Sequence, residues 1–407
     1  MAKSQIVTGL DIGTSAIKIL VAQKRNNELE VLAQSQVPSF GLRKGSIVNV
    51  EQVTNNISAL LLEAEKLSGK SINSVFVNIG GSHLYLTASD GIISVSRADQ
   101  KISQEDIERV IQAARAINIP SNEEILDVFP KEFAIDDQKG IKEPLGLTGI
   151  RLEVKVNLLC VFSPAFIKLT QAVLGSKVQI DDIVPSPLAA AAAVLTPQQK
   201  ELGVALVDIG SCTTSLAVFE EGDLLHFAVF PIGSANITND IAIGLKTDIN
   251  IAENIKKEHG VCILAPAKKE KSTSAKKKIE VVDKTSSASF SKKMLVSIIG
   301  PRVSEIFELI DKELKKIGRQ QLLPGGIVLT GGGAKLSKIK DLVKRELKLP
   351  CEIGMPSGII GIEEDPSLAT VCGLVIDGAT AIEDSREPGI IGVIISKLKS
   401  ILRVFIP

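Results

Sequence analysis

Tryptophan is absent from this chain of 407 residues, tyrosine occurs once, and aromatic residues make up only 3% of it. So little ring surface leaves almost nothing on which nucleic-acid bases could stack. Charge offers no substitute, because 47 Lys plus Arg balance 47 Asp plus Glu, and a neutral total gives no global case for nucleic-acid binding. The five cysteines, Cys160, Cys212, Cys262, Cys351 and Cys372, are scattered without paired spacing. An odd, dispersed set fits reduced core thiols rather than disulfides or a zinc site. His83, His226 and His259 form no ligand cluster either. No apolar run reaches the roughly 18 residues that a membrane span needs, and MAKSQIVTGLD lacks the apolar core of a secretory signal. Together these absences predict a protein made and kept in the cytoplasm.

What the chain does have is a pattern that occurs twice. Val204 to Phe219 reads VALVDIGSCTTSLAVF, two apolar runs around Asp208, Gly210, Ser211, Cys212, Thr213 and Thr214. Taken alone, this is an ordinary hairpin. Gly9 to Ala22 reads GLDIGTSAIKILVA, and a shift of 208 − 11 = 197 positions lays Asp11, Ile12, Gly13 and Thr14 on Asp208, Ile209, Gly210 and Ser211. Self-similarity on this scale predicts two related halves that face one another. Glycine lets the turn backbone approach a ligand, amides and hydroxyls donate to phosphate oxygens, and a carboxylate holds a metal ion. Two such hairpins could grip one polyphosphate from both sides.

The length allows two or three domains. A first lobe is expected over residues 1–83, with 163–200 returning to it. In it, Leu29 to Gln36 reads as a second strand pair with a turn at Gly41 to Gly45. Residues 51–67 place Val53, Ile57, Leu60, Leu61, Ala64 and Leu67 on one helical face, and SVFVNIG at 74–80 is a strand. A small α+β module is expected over 84–162. It has a strand pair turned at Asp90 and Gly91, a helix over 104–117 capped by Ser103 and Asp106, a turn at Lys139 and Gly140, and a strand over 151–162.

The second lobe is expected over 201–377. Its helix at 248–259 puts Glu253, Lys256 and Lys257 on one face, which in most proteins is a solvated charged surface. Lys and Ser runs make 265–293 an exposed loop, and the long helix that follows has Pro301 at its start or at a kink. GIVLTGGG at 326–333 runs a strand into Gly331, Gly332 and Gly333, with a helix expected at 334–348. Leu336 stands where a dinucleotide fingerprint would need its last glycine, and no Walker A sequence occurs. A strand, a glycine turn and a helix start still make a close-approach anion site.

Residues 378–389, GATAIEDSREPG, read as a polar linker. Beyond it, 390–407 places Ile391, Ile394, Ile395, Leu398, Ile401, Leu402 and Phe405 on one helical stripe, with Ser396, Lys399, Ser400 and Arg403 opposite and Lys397 adding charge. This predicts an in-plane amphipathic helix on an anionic membrane surface rather than one docked on the core. Each cation contributes about 1 kcal/mol near such lipid. Stable attachment then needs several copies, as in a polymer.

Two D-I-G hairpins with a G-G-G strand-turn-helix resemble the actin-like ATPase superfamily. That resemblance implies an α/β, ribonuclease-H-like duplicated, two-lobed fold with mixed five-stranded sheets. NIGGSHL (78–84), ILDVFPKEFAIDD (125–137), GIKEPLGLTGIRLEVKV (140–156), ITNDIAIGL (237–245) and VLTGGGAKL (328–336) are similar to the FtsA family of bacterial cell-division proteins. The family's small extra subdomain would be 84–162, and its membrane-targeting helix the C-terminal stripe.

The resemblance implies ATP and Mg2+ as ligands. Asp11 and Asp208, the candidate catalytic carboxylates, would orient Mg2+ through water. Gly13, Thr14 and Lys18 would hold phosphates from one side and Gly210, Ser211 and Thr213 from the other. Glu253, Lys256 and Lys257 would meet ribose and adenine, while Gly331, Gly332, Gly333 and Lys335 would close the pocket. It also implies a homopolymer at the cytoplasmic face of the cell membrane, peripheral and at the division site. That polymer would tether the C-terminal peptide of tubulin-like FtsZ and recruit other septal proteins, with no role for nucleic acid.

The sequence departs from the pattern in two places. Ser211 and Cys212 replace glycines, and Ser215 an acid, of the usual second hairpin. Ser186, in VPSPLAAA, stands where actin relatives often carry a Gln or Glu that positions the attacking water. Weak or negligible ATPase activity is therefore expected, since positioning is most of phosphoryl-transfer catalysis. The alternatives are a pilus scaffold of the PilM type, which needs no lipid helix of its own, and a sugar or acetate kinase of the same superfamily. A kinase would need a second cleft with a base, and no acid or histidine cluster suggests one.

Overall fold

Apolar strands closed by short turns organise both halves of the chain. The computed structural model describes residues 5–25, 28–264, 278–282 and 287–384. Strands β1 (Gln5–Ile12), β2 (Ala16–Arg25) and β3 (Glu28–Pro38) form an antiparallel meander, and a short ribbon, β4 (Leu42–Arg43) with β5 (Ser46–Ile47), leads into α1 (Val50–Ser68). Asn49 caps α1 by accepting from the Gln52 amide, and Gly69 ends it in the left-handed region. Val53, Ile57, Leu60 and Leu61 are buried against the sheet, each worth roughly 1.5–3 kcal/mol. Strand β6 (Ser74–Ile79) then pairs in parallel with β1.

The inserted module comprises β7 (Leu84–Ser94), α2 (Gln104–Arg115), β8 (Glu123–Ile135), β9 (Gln138–Ile141) and β10 (Arg151–Phe162), with sheet order β7-β10-β8-β9. Ser103 and Asp106 form the expected capping box of α2. The chain returns to the first lobe through α3 (Ser163–Gly175) and β11 (Gln179–Pro185), then crosses by α4 (Ser186–Val194) and α5 (Pro197–Leu202).

The second lobe is built from β12 (Val204–Ile209), β13 (Thr214–Glu220), β14 (Asp223–Phe230), α6 (Ser234–Leu245) and α7 (Ile249–His259). A ribbon of β15 (Lys278–Val282) and β16 (Ser287–Ser291) follows, then α8 (Lys292–Lys316), β17 (Ile327–Thr330), α9 (Ile339–Leu347) and β18 (Cys351–Ile353). Finally β19 (Ile359–Ile360) pairs with β3, and α10 (Ala369–Asp384) packs on β1 and α4. The sheets run β11-β6-β1-β2-β3-β19 and β18-β17-β12-β13-β14. Five strands of each lobe thus share one order and one pattern of parallel and antiparallel pairs. The repeated hairpin is the visible part of a duplicated sheet.

Several local expectations are corrected. Leu29 to Gln36 is part of one strand, β3, whose partner is β2. Leu67 lies outside the buried face of α1 and is 57% exposed. Asp90 and Gly91 do not turn the chain; they sit mid-strand in β7 opposite Lys155 and Val154. Gly91 is required instead by the crossing of α2, because a Cβ there would lie 2.2 Å from the Val110 carbonyl oxygen. The β8–β9 turn falls at Asp136 and Asp137, not at Lys139 and Gly140.

Pro301 lies inside α8. The helix expected at 334–348 begins only at Ile339, after a 3-10 turn at Gly332–Lys335. Residues 378–384, read as linker, belong to α10, whose Glu383 pairs with Lys24 at 2.5 Å. Parts of the stretch read as an exposed loop are strands β15 and β16, and Phe290 is buried. Residues 265–277 and 283–286, the linker remainder 385–389 and the amphipathic stripe 390–407 lie outside the described residues.

α10 and α4 cross at Gly373, where a Cβ would sit 1.6 Å from the Ala189 carbonyl oxygen. Gly373→Ala is expected to destabilise the protein by about 3 kcal/mol or more, because backbone rather than a flexible side chain must yield. Thermal or urea melting checks this, and a melting point within a degree of the parent's would refute so tight a crossing.

Candidate functional site

The two hairpin turns are built alike. In the first, the Gly13 amide donates to the Ala16 carbonyl at 3.1 Å; in the second, the Gly210 amide donates to the Thr213 carbonyl at 2.9 Å. The second is fixed from behind by α6, whose Ser234 and Ala235 amides donate to the Gly210 and Ser211 carbonyls at 2.9 and 2.7 Å. In a trans peptide the N–H points opposite to its C=O. The amides of Ser211 and Cys212 therefore point away from α6. No described residue accepts from the amides of Thr14 or Ser211. Gly45, at the tip of the β4–β5 ribbon, reaches across to the second hairpin, with its Cβ position 3.4 Å from the Thr213 methyl.

Each hairpin ends its first strand in an acid, but the two acids are held differently. Asp11 is buried, and its Oδ2 lies 3.0 Å from Lys18 Nζ, its cross-strand partner on β2. From the opposite strand, β6, Asn78 Nδ2 donates to Asp11 Oδ1 at 2.9 Å. Asp208 has Ser215 and Thr330 as its strand neighbours, and accepts no hydrogen bond from any described residue. Asp208 keeps some contact with solvent but is deeply walled in. Burial pushes its carboxyl up to about 6, the like charge of Asp11 adds to the rise, and Lys18 opposes it. Burial works to lower Lys18, yet Asp11, Asp208 and Asp365 outweigh it and hold the ammonium above its ordinary value.

The glycine turn packs against Asp208. Gly331 has φ +80°, and a Cβ on it would lie 2.2 Å from Asp208 Oδ1; one on Gly333 would lie 2.3 Å from the Ile209 side chain; one on Gly332 would meet nothing. Lys335 is tied to Asp365 at 2.5 Å. Burial works to raise Asp365, but hydrogen bonds from Lys335 and Ser367 leave it below the usual carboxylate range. Beside this turn opens a cavity of about 760 Å³, bordered by Lys335, Leu336, Ile339, Ile353, Met355 and Asp365 and by neither hairpin.

On α7, Glu253 and Lys256 are not the solvated surface that their spacing suggested. Lys256 Nζ contacts Glu253 at 2.7 Å, the Thr238 hydroxyl at 2.8 Å and the Ser234 carbonyl at 3.1 Å, bracing the start of α6. Burial lowers Lys256, with Glu253 opposing. Lys257 reaches Glu253 only at 3.5 Å and is exposed.

Asp11, Lys18 and Asp208 are thus electrostatically coupled, and Gly331 and Gly333 abut Asp208 and its neighbour. Two members of the cluster escape sequence reading. Asn78 left one usable signal, a lone amide inside the apolar run V-F-V-N-I. Asp365, which comes from a loop before α10, left none. Ser186 is also part of the network, accepting from Asn78 at 3.0 Å and donating to the Ile79 carbonyl at 3.1 Å. Among the described residues no group of three His, Cys, Asp or Glu is arranged to bind a metal. Four cysteines are buried and Cys212 is partly so, all of them free.

Because Asp208 binds its proton more tightly in the folded than in the unfolded chain, it contributes stability below about pH 4 that is lost as pH rises through about 6. Asp208→Asn should therefore stabilise the ligand-free protein above pH 6.5, on the order of 2 kcal/mol, with the gain vanishing at pH 4. Parallel melting curves across pH 4–8 test this, and a pH-independent gap would contradict it. Gly331→Ala should lower the melting point by several degrees, a loss of about 2 kcal/mol or more from strain and the clash with Asp208, while Gly332→Ala melts like the parent. Equal melting of the two variants would contradict the packing.

Comparison with known proteins agrees with this architecture. The family profile for Cell division protein FtsA matches residues 205–373, and that for the SHS2 domain inserted in FtsA matches residues 81–160. The chain is 36% identical to Cell division protein FtsA of Pseudomonas aeruginosa over 394 residues, covering 95% of this chain and 93% of that one. It is 34% identical to the Bacillus subtilis protein of that name, covering 92% and 84%, and 30% identical to the Escherichia coli one, covering 98% of each. Among solved structures, the PilM-PilN type IV pilus biogenesis complex is similar at a TM-score of 0.67 and 20% identity, covering 91% and 98%. MreB5 of Spiroplasma citri bound to ADP is similar at 0.58 and 14%, covering 95% and 99%. These structures support an actin-like fold, and the full-length relatives at 30–36% identity go further: the chain belongs to the FtsA family of cell-division proteins.

Proposed function

We propose that this actin-like cell-division protein binds ATP with Mg2+ between its two hairpins and forms filaments at the cytoplasmic face of the cell membrane. There it tethers FtsZ through the FtsZ C-terminal peptide and recruits further septal proteins. The observation that carries the nucleotide part is the pair of D-I-G turns, closed by equivalent hydrogen bonds of 3.1 and 2.9 Å and electrostatically coupled through Asp11 and Asp208. Similarity in fold to MreB5 structures with ADP and with AMPPNP supports it.

The donor set fits a divalent cation. Asp208 accepts no hydrogen bond and is raised partly by the like charge of Asp11, and a hard cation held by both carboxylates, through water, removes that repulsion. Bound there, Mg2+ would supply charge neutralisation for the phosphates. Gly13 and Thr14 on one side, and Gly210, Ser211 and Thr213 on the other, would hold phosphate oxygens. Lys18 would contribute positive potential while bonded to Asp11. Gly331, Gly332 and Gly333 would allow close approach of the nucleoside, with Glu253, Lys256, Lys257 and Lys335 around it. Ser186 occupies the water-positioning place with its hydroxyl spent on Asn78 and Ile79, so no group there takes a proton from water. Hydrolysis is accordingly weak or negligible.

The membrane part rests on the stripe at 390–407, read from its sequence. Among the described residues no helix is long and apolar enough to cross a membrane. We assign residues 84–162 to the inserted subdomain. A PilM-like scaffold shares the fold, but that similarity is at 20% identity, and such a scaffold would not need a cationic amphipathic stripe of its own.

With ATP and Mg2+ present, the full chain is expected to float with phosphatidylglycerol-rich vesicles, while a chain ending at Asp384 binds ATP equally well but stays at the bottom of the gradient. A full chain that does not float sinks the tethering reading. Steady-state phosphate release is expected below roughly 0.01 s⁻¹, about three orders under the median enzyme; rapid release abolished by Asp208→Ala would overturn the weak-turnover reading.

A further inference from the structure

Asn78 interrupts the apolar run of β6 and is 3% exposed. A buried amide is tolerated only when its donors and acceptor are paired, and here all three are. Its oxygen accepts from the Ile12 amide at 2.6 Å, and its Nδ2 donates both to Asp11 Oδ1 at 2.9 Å and to Ser186 Oγ at 3.0 Å. The orientation is forced, because a flipped amide would set its oxygen against the Asp11 carboxylate and its N–H groups against the Ile12 N–H.

The surrounding backbone is shaped for this contact. Gly80 passes so close to Ser186 that a Cβ would lie 2.9 Å from the hydroxyl. Ser186 begins α4, the helix that also packs on β12 and β13 of the other lobe. Lys18 and Asn78 therefore clamp Asp11 from the two neighbouring strands, one with charge and one with a neutral donor.

Resting on the nucleotide reading above, we propose that Asn78 is a positioning residue for the metal-facing carboxylate of Asp11, and that its second N–H ties that carboxylate through Ser186 to α4. Without the amide, Asp11 is free to rotate fully onto Lys18, and its oxygens no longer present one geometry to a cation.

Asn78→Asp keeps an acceptor for Ile12 while replacing the donor with a like charge. Asn78→Ser keeps polarity but is too short to reach Asp11. For both, affinity for a fluorescent ATP analogue in EDTA is expected to stay near the parent's, while the Mg2+ concentration giving half of the Mg2+-dependent tightening rises about tenfold or more. Ser186→Ala, which cuts the tie to α4 but leaves the Asn78–Asp11 bond, should raise that Mg2+ midpoint less than either Asn78 variant does, and an equal or larger rise would place the positioning role on Ser186 and overturn the assignment to Asn78. A folded Asn78 variant with the parent's Mg2+ response overturns the proposal, as does an equal loss of affinity with and without Mg2+, which would mark a purely structural amide. If the parent itself binds no nucleotide, the reading beneath the proposal falls, and the inference with it.

Discussion

Two carboxylates of like charge, each ending the central strand of its own sheet, are the constraint around which this protein is arranged. The duplication brings Asp11 and Asp208 into electrostatic contact, but their surroundings are unequal. Asp11 is held by Lys18 and Asn78 from the strands on either side. At the matching places beside Asp208 stand Ser215 and Thr330, and Thr330 spends its hydroxyl on the Gly354 and Pro366 carbonyls. One acid is therefore compensated and oriented, while the other is left exposed to its neighbour's field. A site of this kind is poised to take up positive charge.

Close packing around these acids explains most of the glycines that matter. Gly331 lets the glycine turn lie against Asp208, Gly80 admits Ser186 to Asn78, and Gly373 lets α10 cross α4 at backbone contact. In each case the missing side chain makes room for another element, and only Gly331 of these three also needs a left-handed backbone. The inserted module is tied into the same frame. Asn157 donates to the Leu224 carbonyl of β14 at 3.3 Å, and Lys142 pairs with Asp223 and Glu221. The insert thus emerges from one lobe and touches the other.

The cations of the cleft are already committed within the protein. Lys18 serves Asp11, Lys335 serves Asp365, and Lys256 braces α6 through Thr238 and Ser234. This leaves backbone amides, hydroxyls and glycine-made space as the means of meeting an anion, while Ser186 is a structural link between Asn78 and the Ile79 carbonyl.

Much of this was legible along the chain. The repeated Asp-Ile-Gly turn, the flanking apolar runs and the capping box of α2 depend on residues within a few positions of one another, so local sequence determined them, and the repeat predicted the duplicated halves. Glycine was the least reliable sign. Gly91 and Gly140 look like turns, yet both lie within strands, and GATAIED looks like a linker although it completes α10. Small and polar residues read alike whether they face water or pack against backbone, and only a distant partner distinguishes the cases. The same holds for the site. Asp11 and Asp208 announced themselves by repetition, whereas Asn78, Ser186 and Asp365 enter only because a sheet sets β6 beside β1 and a loop before α10 folds back over the glycine turn. The sequence by itself determined the two jaws and their acids. Tertiary structure decided which acid is clamped and which is bare, because hydrogen bonds and unscreened charge act over a few ångströms between residues that are 67 (78 − 11) to 347 (365 − 18) positions apart.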